Sequence, residues 1–391
     1  MHDAVLVSAC RTPIGSFLGA LSSLSSPRLG SIVIAEAIRR AGIQPSDVQE
    51  VIMGNVLTAG VGQAPARQAA LFAGLPPSVE CLTVNKVCGS GLKAVILAAQ
   101  AIRSGDADII VAGGMESMSN VPFALEKARG GLRLGHGEIT DLMIKDGLWD
   151  VYNNYHMGSA AELCAKECDV PRDAQDEFAI ESYRRAQEAT NNGSFKDEIV
   201  PVTIPSKSGD TIVDKDEDPF KTDFSKIPKL KPAFQKDGTV TAANASKIND
   251  GAAALVVMSA VKAKERGLKP LARIIGYASA AKKPEWFTTA PVDVIKKTLE
   301  RAGLQQHAID LFEVNEAFAV VALAVNKMLG LDPKKVNVHG GAVALGHPIG
   351  ASGARILVTL LHALRRQKKK LGMAAICIGG GEASGMIVEL L

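Results

Sequence analysis

Asn85-Lys86-Val87-Cys88-Gly89-Ser90-Gly91 is the stretch on which the reading of this chain turns. Residues 80–86 in front of it and into its start read as a strand. Residues 92–103 behind it are rich in Ala, Leu, Ile and Val, end near Gly105, and read as a buried helix. Cys88 therefore stands where a strand turns into a helix, and the three small residues after it leave its sulfur approachable. Unpaired N–H groups and the positive end of the helix dipole are expected to favour the thiolate there. Taken alone, a free cysteine is more often a small core residue, and a nucleophile needs a base as well.

Working outward, the strand–turn–helix pattern recurs. Residues 4–9, 50–57 and 107–112 read as strands, and residues 29–41 and 64–73 as helices. The pattern returns with strands at 271–276, 311–314, 336–339 and 373–377 and helices at 292–302 and 352–363. Anchors stay nearly in register. Asn55 maps to Asn315 at an offset of 260, Ser90-Gly91 to Ser352-Gly353 at 262, and Gly113-Gly114 to Gly379-Gly380 at 266. Two duplicated α/β halves follow, with the active site expected where matching strand ends meet.

The segment between the halves differs. Residues 120–243 are polar, with a glycine-rich stretch at 130–137, the charge run Asp214-Lys215-Asp216-Glu217-Asp218-Pro219, and amphipathic helices at 159–167 and 172–191. An insertion of this kind is expected to be an ordered lid or binding domain. Core composition returns over 250–258.

Composition bounds the function. With 391 residues the chain is expected to form two or three domains. Forty-four basic against 41 acidic residues give a net charge of +3, too balanced to imply nucleic-acid binding. The cluster Arg365-Arg366-Gln367-Lys368-Lys369-Lys370 reads as a solvated helix end. Six cysteines without a Cys-x-x-Cys pair argue against a zinc ribbon and fit a reducing compartment; Cys164 and Cys168 read as packing residues. No apolar run reaches the ~20 residues that span a bilayer. The expectation is a cytoplasmic protein with no membrane contact, a mature mitochondrial form being the alternative.

Three further stretches carry chemistry. His347 stands in Gly346-His347-Pro348-Ile349-Gly350, the second half's counterpart of the Cys88 turn, and could serve as the base. Cys377 opens Cys377-Ile378-Gly379-Gly380-Gly381 at a strand end. Asn315-Glu316-Ala317-Phe318 places an amide, able to fix a water or polarise a carbonyl, at another strand end. Glu316 has the simpler reading of a carboxylate at a helix N-terminus.

In order and spacing, these four stretches resemble the signatures of the thiolase family, and the similarity runs over essentially the whole chain. Supporting stretches are Tyr155-His156-Met157-Gly158, Gly114-Met115-Glu116-Ser117-Met118-Ser119 and Thr241-Ala242-Ala243-Asn244-Ala245-Ser246. The resemblance implies the thiolase fold, two duplicated α/β halves packed as a layered α/β/α/β/α core with an inserted loop domain. It implies halves at 1–120 with 244–270 and at 271–391, and a loop domain at 121–243 that carries coenzyme A and tetramer contacts.

It also implies roles. Cys88 would carry an acetyl group, His347 would take its proton, and Cys377 would remove the α-proton of a second acetyl-CoA. Asn315 would hold a water that, with His347, stabilises the thioester enolate, and the N–H groups of Cys88 and Gly379 would form a second oxyanion hole. Coenzyme A contacts map to His156, Met157, Leu148, Phe318 and Ser246, with Lys221 and Lys226 near the adenine and phosphates. The implied reaction is the reversible condensation of two acetyl-CoA to acetoacetyl-CoA and CoA by a homotetramer, with no required cofactor.

In one subset of the family potassium is bound, and its ligands map to Tyr183 and the carbonyls of Ala242, Ala243, Ala245 and Val343. The chain departs from that subset at Thr288, where the subset has Pro. Competing readings are a longer-chain 3-ketoacyl-CoA thiolase, a decarboxylating condensing enzyme, which typically lacks the second cysteine, and a non-catalytic acyl-CoA or lipid carrier of the same fold.

Overall fold

The alternating strands and helices assemble into a ten-stranded sheet whose two halves repeat one another. The structure is a computed structural model that describes residues 3–207 and 209–391. The first half holds β1 (Ala4–Arg11), β2 (Glu50–Gly54), β3 (Glu80–Val84), β4 (Ile109–Ser117) and β5 (Asn249–Ser259). The second holds β6 (Ala272–Ala281), β7 (Leu311–Val314), β8 (Leu371–Ile378) and β9 (Glu382–Leu390). Their order is β7-β8-β9-β6-β1-β5-β4-β2-β3, and the two-residue strand Gly15–Ser16 pairs with β5.

Pairing directions expose the duplication. β2 runs parallel to β4, which is antiparallel to β5, which is antiparallel to β1. β7 runs parallel to β8, which is antiparallel to β9, which is antiparallel to β6. Within the sheet, the halves join through two residue pairs among the described residues, Val5 with Arg273 and Leu6 with Ala272. Side-chain packing therefore has to hold them together.

That packing comes from two central helices, α3 (Ser90–Ser104) and α8 (Ile349–Gln367). Each touches strands of both halves as well as the other helix. Nearly every residue of α8 from Ile349 to Leu364 is buried, as a helix in a middle layer requires. The helices approach closely at their N-terminal turns because both carry glycine there. A Cβ on Gly91 would lie 2.8 Å from the Ala354 nitrogen, and one on Gly353 would lie 2.5 Å from the Leu92 nitrogen. Outside the sheet, α1 (Ser26–Ala41) covers β1, β4 and β5, and α6 (Ala290–Ala302) covers β6, β8 and β9. One apolar cluster surrounds α3 and α8, a second lies under α1 and a third under α6. The layers are α/β/α/β/α, as expected, and each fully buried Leu, Ile or Val in them is worth roughly 1.5–3 kcal/mol.

One expected element is absent. Residues 336–339, read as a strand, do not form one; only Val336 makes a parallel bridge, to Phe312. Asn337 adopts φ +48°, which ends any extension. Its side-chain amide takes over the pairing instead, accepting from the Val314 N–H at 2.8 Å and donating to the Val314 carbonyl at 2.8 Å.

The insertion also has a clear place. β8 and β9 are joined by Gly379-Gly380-Gly381 alone, whereas the equivalent connection between β4 and β5 spans residues 118–248. It contains α4 (Met157–Glu167), α5 (Arg172–Asn191) and a hairpin of Val202–Ile204 with Thr211–Val213. Its charge run is not wholly solvated. Asp216 is buried and takes both terminal nitrogens of Arg11 at 2.7 and 2.9 Å, while Glu198 accepts from Arg11 Nε at 2.6 Å. A buried charge needs such partners, and here they tie the insertion to the end of β1.

Candidate active site

The ends of β3, β7 and β8 and the N-termini of α3 and α8 converge on a cavity of about 290 Å³ with mostly apolar walls. Nine of the expected residues line it: Cys88, His347, Gly379, His156, Met157, Leu148, Ser246, Phe318 and Ala245. Asn315 and Cys377 are fully buried and lie outside this lining.

The Cys88 turn is held under strain. Val87 has φ +44°, a left-handed conformation that costs a β-branched residue about 1–3 kcal/mol. Ser90 braces it: its hydroxyl donates to the Val87 carbonyl at 2.6 Å and accepts from the Lys86 N–H at 2.8 Å. The expectation of a thiolate-favouring turn is not met at rest. Burial pushes the Cys88 thiol up to about 11, with Glu116 adding to the effect. The N–H groups of Gly379 and of Cys88 itself act in the opposite direction, too weakly to reverse it. Desolvation outweighs the helix terminus, so Cys88 rests as a thiol.

His347 is buried beside it. Burial, with the charge of Arg355, lowers its pKa to about 3, so the imidazole is neutral. Its tautomer follows from geometry. Ser352 Oγ gives its one hydrogen to the Pro348 carbonyl at 2.8 Å, so it accepts from His347 Nδ1–H at 2.6 Å. Nε2 then carries the lone pair, and it has no partner among the described residues. The backbone is fixed as well, since the His347 N–H donates to Asn249 Oδ1 at 2.9 Å.

Cys377 closes β8 among Met157, Phe287 and Phe318. Burial raises its thiol well above the ordinary range, with Cys88 the next cause, and its strand end packs on the Cys88 turn, a Cβ on Gly89 lying 2.3 Å from Ile378 Cδ1. Both side-chain atoms of Asn315 are buried without a partner among the described residues. An unmatched buried amide is costly unless something binds it. Glu316 is a buried hub, accepting from Ser182 Oγ at 2.7 Å, Asn337 Nδ2 at 2.8 Å and the Val343 N–H at 3.2 Å.

On the other wall, His156 caps α4 by accepting from the Gly158 N–H at 3.1 Å and stacks on Phe234 at 4.8 Å. Ser246 is fixed by its N–H to the Ala317 carbonyl at 3.0 Å. Lys221 and Lys226 are exposed and outside the lining, Lys226 on the short 3-10 helix Phe224–Lys229. Lys221 donates to Ser16 and Glu217, and Lys226 pairs with Asp223 at 3.6 Å. Of the five expected potassium ligands, two are engaged by a residue the sequence reading passed over. Lys247 Nζ donates to the Tyr183 hydroxyl and to the Val343 carbonyl.

Ser352, Asn249 and Glu116 were also not singled out as site residues. Glu116 is pushed up to about 7 by burial and accepts from the N–H groups of Val56, Leu57 and Gly350, fastening α8 to the first half. Ser352 carried a signal in its offset from Ser90; Asn249 carried none, because it meets His347 only in three dimensions.

Residues 4–261 match the model of the thiolase N-terminal domain and residues 268–390 that of the thiolase C-terminal domain. The chain is 56% identical to acetyl-CoA acetyltransferase 2 of Arabidopsis thaliana, over 100% of this chain and 98% of the relative. The structure of Acat5 thiolase from Ascaris suum in complex with coenzyme A superposes with a TM-score of 0.95 at 49% identity, covering 100% of both chains. The acetyl-CoA acetyltransferase of Bacillus anthracis superposes at 0.98 with 44% identity, over 100% of this chain and 99% of that one. With matching domain models end to end and a cysteine turn and a histidine turn facing one cavity, this chain belongs to the thiolase family.

Proposed function

We propose that the chain is an acetyl-CoA C-acetyltransferase, which condenses two acetyl-CoA to acetoacetyl-CoA and CoA and runs the thiolysis in reverse. The observation that carries this reading is one cavity holding Cys88, the Gly379 N–H and the open Nε2 of a neutral His347, with the strand end that carries Cys377 packed on the Cys88 turn. His347 takes the Cys88 proton as the sulfur attacks the thioester carbonyl, and returns it to the departing CoA. The N–H groups of Cys88 and Gly379 hold the oxyanion. Cys377, a thiol at rest, passes its proton to His347 and as thiolate takes an α-proton from a second acetyl-CoA. The resulting carbanion attacks acetyl-Cys88, and Cys88 leaves as a thiolate that takes the proton held by His347. Asn315 fixes a water that, with His347, stabilises the enolate. Two easier steps replace one hard one.

The wall formed by Leu148, His156, Met157, Ser246 and Phe318 takes the pantetheine arm, with Lys221 and Lys226 toward the nucleotide. The inserted segment at 121–243 serves as the coenzyme A domain and as the contact surface of a homotetramer. Six free cysteines fit a reducing compartment, and we place the protein in the cytoplasm. No helix among the described residues is long and apolar enough to cross a membrane.

Thiolysis measured across acyl chain lengths tests the substrate: acetoacetyl-CoA should be preferred, and a preference for long chains removes the reading. Cys88→Ala should form no acyl-enzyme by mass spectrometry. Cys377→Ala should still acylate Cys88 yet fail at carbon–carbon exchange; full condensation by that variant reverses the role assignment.

A further inference from the structure

Two segments of the cavity and the helix α5 behind them meet at one ammonium group. Lys247 follows Ser246 in the cavity wall, and its Nζ donates to the hydroxyl of Tyr183 on α5 and to the carbonyl of Val343 at 3.1 Å. The same nitrogen lies 4.8 Å from the centre of the Tyr183 ring. Tyr183 and Val343 are both fully buried, so their oxygens have few alternative partners. Val343 stands four residues before His347, and its N–H is held by Glu316. A hydroxyl oxygen and a carbonyl oxygen are hard donors of the kind a monovalent cation accepts. An ammonium matches potassium in charge and closely in size, and here it arrives on a tether, at high effective concentration.

We propose that Lys247 is a built-in cation: its ammonium occupies the position that the five expected potassium ligands would surround, and it positions the Ser246 wall against α5 and the His347 turn without any bound ion. The residues present therefore do not fit potassium. Two of its five oxygens are taken, and a second positive charge would have to lie against the first. Lys247 is a positioning residue, and this role rests on the reading of the cavity as an acyl-CoA thioester site.

The test compares wild type, Lys247→Ala and Lys247→Met in KCl and in NaCl at equal ionic strength, by thiolysis kinetics and by thermal midpoint. Wild type should show the same KM, kcat and midpoint in both salts. Lys247→Ala, which opens the position, should raise KM for acetoacetyl-CoA about tenfold in NaCl with kcat within about twofold, as expected for loss of a charge-assisted hydrogen bond. KCl should restore its KM and raise its midpoint. Lys247→Met keeps the packed stem but fills the position, so its KM should rise with no potassium rescue.

The proposal is overturned if KCl lowers the KM or raises the midpoint of wild type relative to NaCl, or if Lys247→Ala keeps a wild-type KM in both salts. It is also overturned if Lys247→Ala responds equally to both salts. A protein with no thiolysis in any salt would sink the functional reading, while the potassium-specific midpoint shift of Lys247→Ala would still decide the cation question.

Discussion

The Cys88 turn and the His347 turn are the same piece of architecture used for different work. Each leads into a central helix, α3 or α8, and each is followed by a serine at the matching position, Ser90 or Ser352. Ser90 spends both sides of its hydroxyl on backbone, holding a strained turn so that the sulfur stays at the cavity. Ser352 spends one side on backbone and the other on an imidazole, so it fixes a proton. Duplication supplied two equivalent helix starts; the difference between them is which atom of the turn the serine grips. The first turn delivers a nucleophile that is a thiol at rest, the second a base that is neutral at rest. Such an uncharged pair suits a buried site, because neither member has to be kept ionised there between turnovers.

The largest effect on this contrast should come from removing the base. With Cys88 held near 11, little thiolate forms at neutral pH without His347. His347→Ala should slow acyl-enzyme formation by about 10²–10⁴-fold. A loss under tenfold in single-turnover acylation would show that the Cys88 turn ionises its own sulfur. The same contrast sets a pH profile. His347 has a folded pKa of about 3 against 6.5 in a model peptide, so kcat/KM from pH 5 to 8 should lack an acid limb near 6.5. Stability has the matching sign. Between about 3 and 6.5 the unfolded chain binds more protons at this site than the folded one, so its contribution is full above 6.5 and is lost as pH falls. His347→Gln should flatten that part of the stability curve.

A smaller effect is expected at Ser352. Ser352→Ala leaves Nδ1–H without its acceptor and frees the ring to turn or to change tautomer. The expected cost is roughly 10–100-fold in kcat/KM, in line with about 1–3 kcal/mol for an unpaired buried donor. A shifted pH profile should accompany it, because the pKa of His347 then depends on whatever replaces the hydroxyl. Unchanged kinetics with an unchanged profile would mean that the backbone bond to Asn249 alone orients the turn.

What the sequence made legible is what local pattern encodes. The two small-residue turns, the strand periods and the near-constant offsets gave the duplicated halves and put Cys88, His347, Cys377 and Asn315 at strand and helix ends. What stayed hidden depends on partners far along the chain. The charge run around Asp216 gives no sign of its partner in sequence, because Arg11 lies 205 residues away. Residues 336–339 have strand composition, yet one side-chain amide on Asn337 replaces the strand. The sign of the Cys88 shift was misread because a helix terminus is visible in sequence while desolvation by a folded cavity is not. Lys247 reads as one more loop lysine until the fold sets it against Tyr183 and Val343.

The smallest functional effect, and the sharpest check on the comparison, belongs to Ser90. Its side chain is buried, and Ser90→Ala removes the acceptor of the Lys86 N–H and the donor to the Val87 carbonyl in one step. The Lys86 N–H next to a left-handed valine then loses its partner, while the Val87 carbonyl keeps only the Ser90 N–H, at a cost of about 1–3 kcal/mol in stability. No proton in the reaction passes through this hydroxyl, so kcat/KM should fall by less than in Ser352→Ala, while the thermal midpoint should fall by more. Ser352→Ala should do the reverse, because its helix keeps its own backbone bonds and only the imidazole loses its guide. Measured side by side, the two variants should therefore rank oppositely in midpoint and in kcat/KM. If Ser90→Ala instead costs more activity than Ser352→Ala, the strained turn is part of how Cys88 reacts, and the division between a turn that holds backbone and a turn that holds a proton is wrong.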